Sequence, residues 1–168
     1  MARTVLYKLD SSRAAGVASD SPGSDFRLVN WRPGLTQVVP PGKGAKYFFY
    51  SLFHWLRIFR NRAYSALLLY DGEVLAASLL VVPTYYKWPF MAEQDVQLTY
   101  VLTRPEYRGK GLAEYLVRLA IAKNQQAGRN IWYVTNTENS PSRNLCEKVG
   151  FVFAGYGAKS GFSLKMVE

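Results

Sequence analysis

The sequence predicts a single α/β (α+β) domain, built on one mixed, mostly antiparallel sheet with helices on its faces. Three observations predict it. Two apolar, β-rich runs, 64–70 and 74–82, flank Asp71-Gly72-Glu73, and an Asp-Gly step between such runs is a strong hairpin signal, hence antiparallel pairing. A strand-like run at 95–103, an amphipathic helical run and a second strand-like run at 131–135 form a strand–helix–strand unit, which implies a parallel pair. Finally, 168 residues at 49% hydrophobic, with no repeat or linker, suit one domain with one core.

The elements follow in order. Residues 9–25 are rich in Ser, Gly, Ala and Asp without periodicity, so residues 1–25 read as a partly mobile arm. Phe26–Trp31 suits a strand, and Pro33-Gly34 and 39–44 read as turns. Lys46 to Arg60 reads as a helix with Phe49, Leu52, Phe53, Leu56 and Phe59 on one stripe. That stripe suits a core face, and a basic aromatic helix lying on a membrane surface is the alternative. The connection 83–91 holds Tyr85, Tyr86, Trp88 and Phe90, rings that either pack on the core or line a substrate pocket. After the third strand a helix opens at Gly111, with Leu112, Tyr115, Leu116 and Leu119 as its apolar stripe and Gly128 as its stop. Asn139-Ser140-Pro141 caps a further helix that Gly150 ends, and 151–156 and 162–167 close the sheet.

Composition excludes several classes. No stretch is long and apolar enough to span a bilayer, and the N-terminus lacks the apolar run of a signal peptide. One cysteine, Cys146, and one histidine, His54, cannot make an intramolecular disulfide or a His/Cys zinc site, so no metal is expected and the cytoplasm is the expected compartment. The formal charge is +9, concentrated in residues 1–62: ten Lys/Arg against three Asp/Glu, leaving 21 − 10 = 11 against 12 − 3 = 9 for the rest. A basic excess attracts a phosphate-rich ligand or simply solubilises. Lys and Arg are scattered rather than gathered in a stripe, which argues against nucleic acid.

The informative segment is Arg108-Gly109-Lys110-Gly111-Leu112-Ala113, between strand and helix. Glycines let the backbone approach a ligand closely. The first turn of a helix offers amide N–H groups without intrahelical partners and the positive end of its dipole, a cradle for pyrophosphate. The segment is neither a P-loop nor a G-x-G-x-x-G fingerprint.

These residues resemble the Gln/Arg-x-x-Gly-x-Gly/Ala pattern of the GNAT acyltransferase superfamily. Asn139-x-x-Ser142-x-x-Leu145-Cys146-x-Lys148-x-Gly150-Phe151 is similar to that superfamily's Asn-x-x-Ala-x-x-Leu-Tyr-x-Lys-x-Gly-Phe. The resemblance covers 96–153 and implies acetyl-CoA as co-substrate, in a slot between splayed parallel central strands. It implies that the amides from Arg108 through Ala113 hold the pyrophosphate, that Leu102 and Thr103 pair with the pantetheine arm, and that Asn139 and Ser142 complete the slot. Residues 93–168 are then the acetyl-CoA half and 26–92 the acceptor half.

Two departures stand out. Cys146 occupies the place of a tyrosine thought to protonate the departing thiolate; it either donates a proton itself or is a small apolar residue on a buried face. Gln97 and Thr99 occupy strand positions where the superfamily often carries Glu or His, and neither is a general base. Asp95 lies further back on the same face, by the period of two, and is the candidate base; His54 is a weaker one. Trp88 and Phe90, with the Asp95/Gln97/Thr99 row, suggest an acceptor amine on a small molecule, and among these a nucleotide- or lipid-linked amino sugar of surface-polysaccharide synthesis. A protein or peptide N-acetyltransferase, a non-catalytic CoA-binding module and a nucleic-acid binder are the alternatives, and a homodimer stays open.

Overall fold

The computed structural model describes residues 3–10, 23, 25–40 and 44–167. Eight strands and three helices alternate along the chain: β1 (Thr4–Asp10), β2 (Phe26–Trp31), α1 (Ala45–Trp55), β3 (Ser65–Asp71), β4 (Val74–Pro83), β5 (Val96–Thr103), α2 (Leu112–Lys123), β6 (Asn130–Asn136), α3 (Ser140–Val149), β7 (Val152–Ser160) and β8 (Ser163–Val167). They make one sheet in the order β2-β3-β4-β5-β6-β1-β7-β8. Every neighbouring pair is antiparallel except β5–β6.

Two apolar layers cover the sheet. Leu112, Leu116, Val117, Ala120 and Ile121 of α2, with Cys146 and Val149 of α3, pack on Leu67, Leu69, Leu79, Val81, Val96, Leu98 and Ile131. On the opposite face Tyr47 of α1, Phe59, Tyr85, Trp88 and Met91 pack on Tyr64, Leu68, Leu80, Val82 and Trp132. Strands covered on both faces read as continuous apolar runs, as β3 and β4 do.

Three expectations need correction. The segment Thr4–Asp10 is not part of an arm: it is a central strand between β6 and β7, with Val5, Leu6 and Tyr7 buried. Residues 11–22 of the expected arm lie outside the described residues. Helix α1 stops at Trp55; of the expected stripe Phe53 and Phe59 pack on the core, but Phe49 and Leu56 are 59% and 62% exposed, and Tyr47 and Ser51 are the helix's buried residues. The inward side of α2 is Leu112, Leu116, Val117, Ala120 and Ile121, so Leu112 and Leu116 of the expected stripe are buried while Tyr115 and Leu119 are only partly so; the helix ends at Lys123, before Gly128. In both helices several apolar stripes compete, and the sheet selects one by shape rather than by hydrophobicity.

Candidate active site

The β5–β6 ladder is short. It pairs Val96 with Ile131, Gln97 with Trp132 and Leu98 with Tyr133, and ends there. Beyond Leu98, β5 stays on β4 and β6 stays on β1, so the two parallel strands part company in the middle of the sheet. A bulge causes the divergence: Leu80 faces Thr99 while Ser78 faces Leu102, so one residue of β4 opposes two of β5. Tyr100 inside that bulge has φ 49°, a left-handed conformation that is a genuine outlier for an aromatic residue in a strand. Such strain persists where the surroundings enforce it.

The gap opens into a slot of about 530 Å³. Val101, Leu102 and Thr103 form one wall, Tyr133 the apex, and Arg108, Gly109, Gly111, Leu112 and Ala113 the turn into α2; Asn139, Ser142 and Leu145 close it from α3. Gly109 and Gly111 have φ 77° and 73°, and a Cβ built on either meets nothing within 4 Å. The turn is therefore glycine for its conformation and leaves open space where a side chain would stand. Thr103 Oγ1 is buried without a hydrogen-bond partner, which suits a slot whose polar ligand completes it. Glu114 ties the walls together: its carboxylate takes Lys148 of α3 at 2.6 Å and Arg118 at 3.0 Å. Those donations, Lys148 first, hold the Glu114 carboxyl below its ordinary range.

Most residues expected at the cofactor line this slot. Leu102, Thr103, Arg108, Gly109, Gly111, Leu112, Ala113, Asn139 and Ser142 all do. Lys110 does not: its ammonium lies over the Tyr107 ring, 5.2 Å from the centroid. Asn139 also has a local task, accepting the Ser142 N–H at 3.2 Å as the cap of α3.

The residues expected at the acceptor lie elsewhere. Asp95 is 1% exposed. Its carboxylate accepts the Trp132 indole N–H at 2.8 Å, the Asn130 amide at 2.8 Å and the Ala92 amide at 3.0 Å. It ties β5, β6 and the preceding loop at the closed end of the pair, and its lone pairs are committed to fixed donors, so it corrects the expectation of a free base. Gln97 is buried as well, and Thr99 half-buried. Trp88 packs into the core, and Phe90, half-buried, sits 5.0 Å from Trp132, ring centroid to centroid. Replacing Asp95 by Asn should turn one accepting oxygen into a donor facing N–H groups. A loss of about 3 kcal/mol follows, or a Tm lower by roughly 10 °C for a chain of this size, with the pH–rate profile unchanged. Thermal unfolding and a pH series check the two halves.

Cys146 is fully buried, and burial pushes its thiol up to about 12. It is a packed side chain that does not line the slot, which leaves the expectation of a proton donor there without support. Cys146→Ala should keep turnover well within the roughly hundredfold that loss of a general acid costs; steady-state kinetics decide. His54 is pushed down, first by burial and then by Arg62 and Arg32, and packs against Tyr64.

Two residues escaped the sequence. Tyr133 reaches the slot from the last rung of the β5–β6 ladder, and burial raises its hydroxyl to about 12. Tyr100 looks the other way, into a second cleft of about 360 Å³ lined by Phe49, Tyr50, Phe53, Tyr85, Tyr86, Lys87 and Phe162. A signal for Tyr133 existed: Cys146, small where the helix pattern has a ring, leaves room for a ring from the facing strand.

A parallel pair splayed over a glycine turn at a helix N-terminus is the geometric core of this site. The chain belongs to the acetyltransferase (GNAT) family, whose profile matches residues 30–151. No curated protein matches it significantly. Among solved structures it is similar to a putative GNAT acetyltransferase from Novosphingobium aromaticivorans, at 23% identity and TM-score 0.59, covering 93% of this chain and 62% of that one. A tandem GNAT protein from the clavulanic acid biosynthesis pathway aligns at 15% identity and TM-score 0.60, covering 90% and 50%. A GCN5-related N-acetyltransferase from Sphaerobacter thermophilus aligns at 13% and TM-score 0.58, covering 91% and 49%. The chain thus spans about half to three-fifths of the length of these neighbours, and at such identities they establish the fold alone. Among the described residues no helix is long and apolar enough to cross a membrane.

Proposed function

We propose that the chain transfers an acetyl group from acetyl-CoA to the primary amine of a small molecule. The observation that carries this reading is the slot: a gap between parallel strands, ending on two left-handed glycines at the start of α2. The amides of the Arg108–Ala113 turn would hold the pyrophosphate, with the dipole of α2 behind them. The β5 edge at Leu102 and Thr103 would hold the pantetheine arm, and Thr103 Oγ1 is an orphan such an arm would satisfy. A strand amide at the bulge would receive the oxyanion.

Tyr133 then takes the part that Cys146 cannot. It lines the gap beside Ser142, and donates to the sulfur as the carbon–sulfur bond breaks. The acceptor enters from the opposite face through the Tyr100 cleft. The amino-sugar reading drew on Asp95, Gln97, Thr99, Trp88 and Phe90, and the burial of Asp95, Gln97 and Trp88 gives it no support. Calorimetry with acetyl-CoA, followed by free-thiol release across a panel of amines, tests the function. Binding without release on any amine would support a non-catalytic CoA-binding module instead, and release on peptides alone would make it a peptide N-acetyltransferase.

A further inference from the structure

We propose that the acceptor is an arylamine, a flat aromatic ring bearing a primary amine that is uncharged at neutral pH; this rests on the acetyl-transfer reading above. The cleft on the α1 face is built almost wholly of rings. Phe53 meets Tyr85 at 5.7 Å and Tyr86 at 6.2 Å, and Tyr85 meets Tyr86 at 5.2 Å, centroid to centroid. The Leu164 amide donates to the Lys87 carbonyl at 2.9 Å, which brings the β7–β8 turn, and with it Phe162, to the mouth. Phe162 is 93% exposed and Tyr86 60%. Rings gathered around one opening are an apolar surface that a ligand covers. A volume of about 360 Å³ suits a ligand of one or two rings, since roughly 150 Å³ accommodates benzene.

The floor fixes the charge of the guest. Tyr50, Tyr85 and Tyr100 share it, the Tyr50 and Tyr100 rings 6.3 Å apart and the Tyr85 and Trp88 rings 6.5 Å apart, centroid to centroid. Burial raises Tyr50 and Tyr85 above the ordinary phenol range, so both stay neutral and neither serves as a base near pH 7. Among the described residues lining the cleft none is acidic, and the one charge is the Lys87 ammonium. An alkyl amine with the basicity of lysine is neutral in only about one molecule in a few thousand at pH 7. Entering as a cation, it would meet a like charge, no carboxylate, and nothing to take its proton.

An arylamine avoids all three difficulties. Its lone pair is delocalised into the ring, so the nitrogen is unprotonated at neutral pH, and its flat face matches the walls. The cleft and the slot flank the bulge, where Tyr100 lines one and Val101 the other. The nitrogen attacks the thioester carbonyl, the N–C bond forms, and the C–S bond breaks with its electron pair passing to sulfur. The N–H proton, acidified in the tetrahedral adduct, ends on that sulfur by way of Tyr133. An anilide and the CoA thiol leave, and the balance needs no other reagent.

The test is free-thiol release by the full chain at fixed acetyl-CoA, with aniline, phenethylamine, glucosamine and a short peptide as acceptors. Aniline should show a kcat/KM at least about tenfold above the rest, with a rate nearly flat from pH 6 to 9. Phe53→Ala and Tyr86→Ala should each raise KM for aniline severalfold and leave acetyl-CoA affinity unchanged. Phenethylamine, glucosamine or the peptide matching or surpassing aniline would overturn the arylamine assignment while acetyl transfer stood. Unchanged KM in both variants would remove the acceptor from this cleft. Acetyl-CoA binding without thiol release on any of the four would sink the transferase reading itself.

Discussion

A valine at position 111 should abolish acetyl-CoA binding. Gly111 has φ 73°, caps α2 and lines the slot. A side chain there suffers twice. Left-handed backbone costs an ordinary residue about 1–2 kcal/mol and a β-branched one more, so the turn tends to flip and carry its amides off target. Without a flip, the isopropyl group stands in the space beside those amides, where the glycine now leaves nothing within 4 Å. The affinity lost should exceed a hundredfold, since the pyrophosphate contacts go together rather than singly. Calorimetry with CoA checks it, with Gly111→Ala as the milder companion that carries most of the backbone strain and less of the bulk. If Gly111→Val binds CoA as the native chain does, the turn is a helix cap and the pyrophosphate lies elsewhere.

The second large effect should come from Tyr133→Phe, which removes one oxygen and keeps the ring against Phe151. Turnover should fall by about a hundredfold, the scale of a lost general acid, with KM for acetyl-CoA little changed. A purely structural tyrosine would lower Tm and leave kcat intact, so the split between the two parameters is the diagnostic. The pH dependence has a definite sign. Burial raises Tyr133 to about 12, so the hydroxyl stays protonated throughout the neutral range and its loss as a donor begins only far into alkali. A falling limb of kcat between pH 7 and 9 that vanishes in the Phe variant would be inconsistent with that assignment.

How much of this was legible beforehand depends on what kind of signal each part leaves. The cofactor side was readable because backbone geometry dictates it: a turn that must be left-handed asks for Gly109 and Gly111, and a capped helix asks for Asn139 and Pro141. The acceptor side was misread because strict alternation was carried through β5. Asp95, Gln97 and Thr99 do share a period of two, but the row ends at the bulge. Its first member is consumed by Trp132 and Asn130, groups that sequence distance hides. A bulge around Tyr100 leaves no compositional trace, because the residue is held against its own preference by neighbours. The same holds for α1, where nearly every side is aromatic and only the shape of the sheet decides which rings turn inward.

The position of β1 has a consequence for how the chain is made. Thr4–Asp10 leaves the ribosome early, yet both its hydrogen-bonding neighbours, β6 and β7, are synthesised more than a hundred residues later; the Arg3 amide bonds Thr137, 134 positions along. Until then β1 has no strand to pair with, and Val5, Leu6 and Tyr7 have nowhere to bury. Closing so long a loop before its contacts form slows folding, and a waiting edge strand invites pairing with another chain. The same vacancy makes the strand exchangeable: a β1 supplied by a second molecule would fit the groove between β6 and β7 as well as the molecule's own. Nascent chains at high concentration should therefore risk intertwined dimers, and a synthetic peptide of residues 3–10 added during refolding should compete for the groove and slow the recovery of native protein.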